Sequence, residues 1–308
     1  MSDSTFYSDR IGRTAPRVSE NVSPNAWQGL AALIRTRVRD GSLARAFPQN
    51  DCVDGPGLIT GTDEEVFLDS LEAHLPGIGR AALDARHPQD TVTALDMIDF
   101  VAFHIDQPIR RTPHDFFRHE HLFFRDHYAD GPFDDKLTPG QARLQYDVDL
   151  LFARNGIAFT LGDDMHVRRL GPPEARPLIA DFKPSSEDPQ LDSKLNDATS
   201  RLLSRTPADR RDALEKLWDA FERLRTLELG GQMKNSASQL LDRAAPEPFR
   251  AVLEAEFKTL ADVGNNFTIR HHGHPQHALP SDAAVDYLFT RLLSVIAFVL
   301  RQTGRMTR

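Results

Sequence analysis

The 308-residue sequence contains a single cysteine, Cys52, so it cannot form an intramolecular disulfide. It also lacks the cysteine pairs of the common zinc motifs, and such sparse cysteine usage is typical of a reducing compartment. The N-terminus has no apolar stretch of the signal-peptide type. The longest apolar run near the C-terminus, Leu292–Leu300, contains Ser294 and is shorter than the roughly 20 residues that cross a bilayer. These features predict a cytoplasmic protein.

An excess of positive charge is missing as well. The formal net charge is -8, which is unlike that of a strongly basic nucleic-acid-binding protein. The charge is unevenly distributed, because the chain from Asn196 onward carries 16 Lys+Arg and 14 Asp+Glu, which leaves 21 and 31 for the preceding part. A ligand that carries phosphate would therefore meet a strongly repulsive field only in the N-terminal part of the chain.

Three common catalytic motifs are absent from the sequence. It contains no glycine-rich phosphate loop, no GxSxG and no HExxH. These absences argue against a P-loop nucleotidase, a serine hydrolase with a nucleophile elbow and a zincin-type protease.

The hydrophobic pattern predicts a mainly α-helical protein with one small β-hairpin. Helical spacing of apolar residues recurs along most of the chain, and Ser281 is a suitable cap for a long final helix. Ile157, Phe159 and Leu161 alternate before a Gly-Asp-Asp turn, which indicates the hairpin. The stretch 171–189 contains five prolines and reads as a linker. We therefore expect an α-rich N-terminal domain at 1–185 and a helical bundle at 186–308.

A first group of histidines lies in the aromatic-rich stretch 110–139 and comprises His114, His119, His121 and His127. His119 and His121 would share one side of a strand but would diverge on a helix. The many phenylalanines around them favour the edge of a packed core, with the histidines at its rim. Cys52 has no histidine close to it in the sequence and is not predicted to be a nucleophile.

A second group lies in the segment Asn265–His277, NNFTIRHHGHPQH, which has four histidines, one arginine and no acidic residue. Four interpretations remain open. The segment could cleave phosphodiesters without metal, with a histidine moving the proton and Arg270 stabilising the phosphorane. It could only bind a phosphate or nucleotide. It could hold zinc or nickel through His272, His274 and His277. It could also be an ordinary polar loop between two helices.

Several stretches of the C-terminal half resemble the HEPN-type domain of bacterial abortive-infection proteins. They are RRDALEKLWDAFERLRTLE, VGNNFTIRHH and DYLFTRLLSVIAFVL, while the opening FYSDRIGRTAP is similar to the start of AbiJ-type N-terminal domains. The resemblance implies an up-and-down helical bundle that dimerises through its C-terminal helices. It also implies a metal-independent endoribonuclease of phage defence that needs no cofactor. The N-terminal domain would sense a phage-derived trigger or hold the toxin in check, and an antitoxin is a possible partner.

The resemblance also assigns roles within the histidine segment. Arg270 matches the arginine of the family motif, and His277 matches its histidine with six residues between them; His271 stands where the family usually has asparagine. The implied catalytic residues are Arg270, His277 and His271, and the implied RNA contacts are His274, His272 and Asn266. The alternative is a non-catalytic HEPN-like module that binds a nucleotide or a partner through the same loop.

Overall fold

A computed structural model of the protein describes residues 6–79, 81–84, 86–125, 137–204, 206–229, 233–269 and 277–307. The chain divides into two compact units, Met1–Arg168 and Arg169–Arg308, whereas the sequence suggested a boundary between residues 185 and 186. About 53% of the described residues are helical, and the sheets among them have two strands each. The prediction of a mainly α-helical protein is therefore confirmed.

The described residues of the first unit contain five helices. They are α1 (Tyr7–Arg10), α2 (Pro24–Arg39), α3 (Glu64–His74), α4 (Thr91–His104) and α5 (Pro139–Arg154). The longer ones begin at side-chain caps, since Asp90 accepts from the first turn of α4 and Thr138 forms a capping box with Gln141. Their apolar faces meet in one core, in which Trp27 and Phe152 are fully buried.

Three two-stranded sheets accompany these helices in the described residues. They pair β1 (Pro48–Gln49) with β2 (Gly61–Thr62), β3 (Arg110–His114) with β4 (His119–Phe123), and β5 (Phe159–Leu161) with β6 (Val167–Arg169). The β5–β6 pair is the predicted hairpin, and Gly156 before it has the φ of 66° expected of a left-handed helix end. The other two pairs were not predicted, because their strands are short and lack a clear alternation of apolar residues, and because β1 and β3 are almost wholly exposed.

The second unit is mainly helical in its described parts. They are α6 (Arg176–Ala180), α7 (Pro189–Leu202), α8 (Pro207–Leu224), α9 (Met233–Ala244), α10 (Phe249–Asn266) and α11 (Asp282–Gln302). The Ser281 side chain caps α11 as predicted, by accepting from the backbone N–H of Ala284. Trp218 of α8 is fully buried and lies directly against Gly264 of α10. The helices of this unit thus pack around one apolar core.

Helix α11 is also the one described helix that is long and apolar enough to span a membrane by length and composition. Half of its apolar window is buried inside the protein, where Phe289, Leu292 and Ile296 are fully enclosed. The apolar run at its C-terminal end is thus accounted for by packing in the core of the second unit.

Candidate metal centre

Three histidines share one face of the β3–β4 hairpin. The strands pair antiparallel with His114 directly opposite His119, and the turn between them is residues 115–118, in which Arg118 has a φ of 56°. Side chains alternate along a strand, so His121 lies on the same face as His119, whereas Glu120 lies on the other face. Of the two arrangements that the sequence left open for His119 and His121, a strand or a helix, β4 is the strand.

A fourth side chain, Cys52, reaches this face from the loop that joins β1 to β2. The loop is tied to the hairpin where the Leu122 N–H donates to the carbonyl of Ile59 at 2.8 Å. The side chain of Leu122 packs closely against Gly41. Cys52 is buried, with 5% of its surface exposed. The small β-structure of the first unit thus brings the Cys52 thiol to three imidazoles that lie 62 or more residues further along the sequence.

The potential ligand atoms converge on one point. Cys52 Sγ lies 3.4 Å from His114 Nδ1, which lies 3.3 Å from His119 Nε2, which in turn lies 3.3 Å from His121 Nε2. All four atoms are within 4.8 Å of one another. A tetrahedral zinc ion, with Zn–N near 2.05 Å and Zn–S near 2.3 Å, requires N···N separations of about 3.3 Å and N···S separations of about 3.6 Å. The three separations between neighbouring atoms match edges of that tetrahedron, and the other three are at most 4.8 Å.

Hydrogen bonding alone accounts poorly for this arrangement. His114 Nδ1 lies near both Cys52 Sγ and His119 Nε2, and His119 Nε2 lies near both His114 Nδ1 and His121 Nε2. Each nitrogen of a neutral imidazole carries either one proton or one lone pair, so each of the two shared nitrogens would have to serve two partners at once. A cation at the common centre uses one lone pair from each ligand and satisfies all four.

The electrostatic surroundings favour a bound cation. Burial lowers the pKa of His121, and the charges of His114 and His119 lower it further, which favours the neutral imidazole that binds metals. The pKa of the Asp51 carboxyl is lowered, chiefly by the hydrogen bond from Thr60. The Asp54 carboxylate lies 3.9 Å from His114 Nε2. Two carboxylates therefore lie on the loop that carries Cys52.

Phe117, in the turn of the hairpin, packs against two of the histidines. The ring of Phe117 lies 5.0 Å from that of His114 and 6.0 Å from that of His119, measured between centroids. Rings held in this way have fewer accessible orientations, and a metal site gains from ligands that are held in place before the ion arrives.

The sequence interpretation of this region was incomplete. It treated the histidines as the rim of a packed core and found no partner for Cys52, whereas the structure places Cys52 within 3.4 Å of His114. The sequence did contain one indication of the site. His119 and His121 are two residues apart, as on one face of a strand, and His114 precedes His119 by the length of a hairpin turn. The cysteine gave no such signal, because it approaches only through long-range pairing of β-segments. His127 lies outside the described residues.

Of the residues predicted in the second unit, only two are described. Arg270, His271, His272 and His274 lie outside the described residues. Asn266 ends α10 and His277 is the last residue of the segment; both are exposed. The His277 N–H donates to the Asn266 carbonyl, and the Thr268 N–H donates to the His277 carbonyl, each at 2.9 Å. Phe267 and His277 form a parallel β-bridge. The two ends of the segment are thus held side by side.

Comparisons with protein-family models, with curated proteins and with solved structures found no match to this chain. Function is therefore inferred from the chemistry of its own side chains.

Proposed function

We propose that this protein binds one Zn²⁺ ion through Cys52, His114, His119 and His121. The observation that supports this proposal is that four potential ligand atoms lie within 4.8 Å of one another, with three of their six separations at the 3.3 to 3.4 Å expected in a tetrahedral site. Zinc accepts both thiolate and imidazole and has no geometric demand that conflicts with a tetrahedron. Magnesium and calcium prefer oxygen ligands, so they fit this donor set poorly.

The proposed role of the ion is structural. Four protein ligands complete the coordination of zinc and leave no position for substrate, as in other structural sites. The ion would connect the β1–β2 loop to the β3–β4 hairpin. Isolated two-stranded sheets are marginally stable, and the free energy of metal binding would add directly to the stability of these segments. Zinc would thus connect segments that contribute no residue to the buried apolar core cluster of the first unit.

The stoichiometry of metal binding tests this proposal. Protein purified under reducing conditions is expected to carry one zinc per chain by elemental analysis. After zinc removal, titration with Co²⁺ should give the intense visible bands of tetrahedral cobalt and a thiolate-to-cobalt charge-transfer band, saturating at one equivalent. His87→Ala is a suitable control, because His87 is 67% exposed and contacts Asp84 rather than the cluster. Protein that takes up no cobalt or zinc while Cys52 is reduced would contradict the proposal.

A second candidate function concerns the C-terminal unit. This is the HEPN-like, metal-independent endoribonuclease, in which Arg270 and His277 would promote attack by the 2′-hydroxyl on the phosphodiester, with His271 as a further acid or base. The specific support is that His277 is exposed and held by its backbone against the end of α10 in a helical unit. On this proposal the protein is a cytoplasmic homodimer of phage defence, and its regulator is a phage-derived trigger or an antitoxin. His272, His274 and Asn266 would contact RNA.

A cleavage assay on tRNA and total RNA, in buffer without added metal, tests this second function. We expect 2′,3′-cyclic phosphate ends with the wild type and a loss of cleavage, to below about a hundredth, with His277→Ala, because general acid–base catalysis typically contributes a factor of about 10²–10⁴. His74→Ala is the control, since His74 belongs to α3 of the first unit. Equal cleavage by the wild type and His277→Ala would contradict the assignment. Ligand binding that Arg270→Ala abolishes, without any cleavage, would favour the non-catalytic module.

A further inference from the structure

We infer that Asp54 positions the ligand His114, an inference that rests on the proposed zinc function. The imidazole of His114 directs Nδ1 toward the other ligand atoms, whereas His119 and His121 direct Nε2 toward them. Nε2 of His114 therefore faces away from the centre, and the carboxylate of Asp54 lies on that side at 3.9 Å.

The orientation of His114 decides which tautomer can bind the metal. A neutral imidazole has one N–H, and Nδ1 has a free lone pair only when the proton is on Nε2. A carboxylate beside Nε2 stabilises that N–H and so favours the tautomer that binds the metal. Carboxylate–histidine–zinc arrangements of this kind fix the ring and raise its basicity. Asp54 would also offset part of the charge that remains after one thiolate has bound Zn²⁺.

Asp54 is better suited to this role than its neighbour Asp51. Both oxygens of Asp51 are already engaged, one by the Thr60 hydroxyl at 2.6 Å and the other by the Gln49 amide at 2.9 Å. The Asp54 side chain is 61% exposed, so rotation can bring it within hydrogen-bond distance of His114. Asp54 also lies two residues after Cys52, so a single loop supplies both the thiolate and the orienting carboxylate.

Glu120 provides a matched control. It stands between two proposed ligands in the sequence, but alternation along β4 places it on the opposite face of the hairpin. Its carboxylate pairs with Arg111 at 3.3 Å. Glu120→Ala therefore removes the same charge at a similar sequence distance from the ligands, without removing an orienting group.

The test compares Asp54→Ala, Asp54→Glu and Glu120→Ala with the wild type, with zinc affinity measured by chelator competition. We expect Asp54→Ala to bind zinc about 10- to 100-fold more weakly, which is the usual effect of losing an outer-shell partner. Asp54→Glu should recover most of this loss, and Glu120→Ala should bind like the wild type. Nitrogen-15 spectra of the zinc-free protein should show the Nε2–H tautomer of His114 in the wild type and its loss in Asp54→Ala.

The outcomes separate this inference from the zinc proposal. A wild type that binds zinc, together with an Asp54→Ala variant of equal affinity and unchanged His114 tautomer, would overturn the role of Asp54 and leave the metal centre intact. A wild type without affinity for zinc would overturn the metal centre itself. Thermal unfolding of the zinc-free proteins checks the fold. We expect Asp54→Ala to have the same Tm as the wild type, because the Asp54 side chain is largely exposed.

Discussion

Replacing His119 by alanine is expected to abolish stoichiometric zinc binding. Nε2 of His119 lies 3.3 Å from both His114 Nδ1 and His121 Nε2, so it is the shared neighbour of two other ligands. Its loss leaves three protein ligands and opens the coordination shell. The affinity should fall by more than about 100-fold, because losing an outer-shell partner already costs about 10- to 100-fold. Chelator competition and cobalt titration measure the change.

The same substitution should remove the effect of zinc on stability. A ligand that binds only the folded state adds about 2.7 kcal/mol at a free concentration 100 times its Kd. For a unit the size of Met1–Arg168, this corresponds to a rise in Tm of roughly 5–10 °C. We expect zinc to produce that rise in the wild type and in His87→Ala, but not in His119→Ala. An equal rise in His119→Ala would contradict the assignment of this histidine.

The second large effect is expected from Gly264→Ala in α10. A Cβ at this position would lie 2.0 Å from Trp218 Nε1 and 2.7 Å from two other atoms of the indole. Trp218 is fully buried, so the ring cannot move without displacing its neighbours. Alanine is favoured over glycine within a helix by about 1 kcal/mol, but the clash exceeds that gain. We expect a net loss of at least about 3 kcal/mol in the free energy of unfolding, measured by denaturant titration with tryptophan fluorescence.

Two comparisons show whether the indole is the cause. Gly29→Ala in α2 would approach only the flexible end of Leu151, at 2.6 Å, so its cost should be much smaller. The double variant Gly264→Ala/Trp218→Leu should be more stable than the sum of the two single effects predicts, because the smaller side chain makes room for the methyl group. Strict additivity would mean that the close contact between Gly264 and Trp218 is not the source of the loss.

The predictable parts of the fold are those with local signals. In each of them a regular spacing of apolar residues stands next to a cap or a turn. They are the apolar stripe of α11 after Ser281, the end of α5 at Asn155-Gly156, and the β5–β6 hairpin. The β1–β2 and β3–β4 pairs have none of these signals. Their strands are two to five residues long, and their positions depend on contacts such as that between Leu122 and Gly41.

The candidate site was harder to predict than the fold for the same reason. The two histidines of β4 are two residues apart, but Cys52 is separated from His114 by 62 positions. Only the meeting of the β1–β2 loop with the hairpin makes them neighbours. In the second unit, Asn266 and His277 are brought together by backbone hydrogen bonds, which is a relation that composition and residue type cannot reveal. The residues themselves could be read from the sequence, but their grouping into a candidate site could not.

The pairing of His114 with His119 has a consequence for how the hairpin forms. If β4 slipped by one residue along β3, His119 and His121 would turn to the opposite face and Glu120 would face Cys52. Such a slipped hairpin would offer a carboxylate and one imidazole where the native hairpin offers three imidazoles. Zinc would bind the native pairing far more tightly than the slipped one, so the ion would add to the contacts of Leu122 in favouring the native register of this short hairpin.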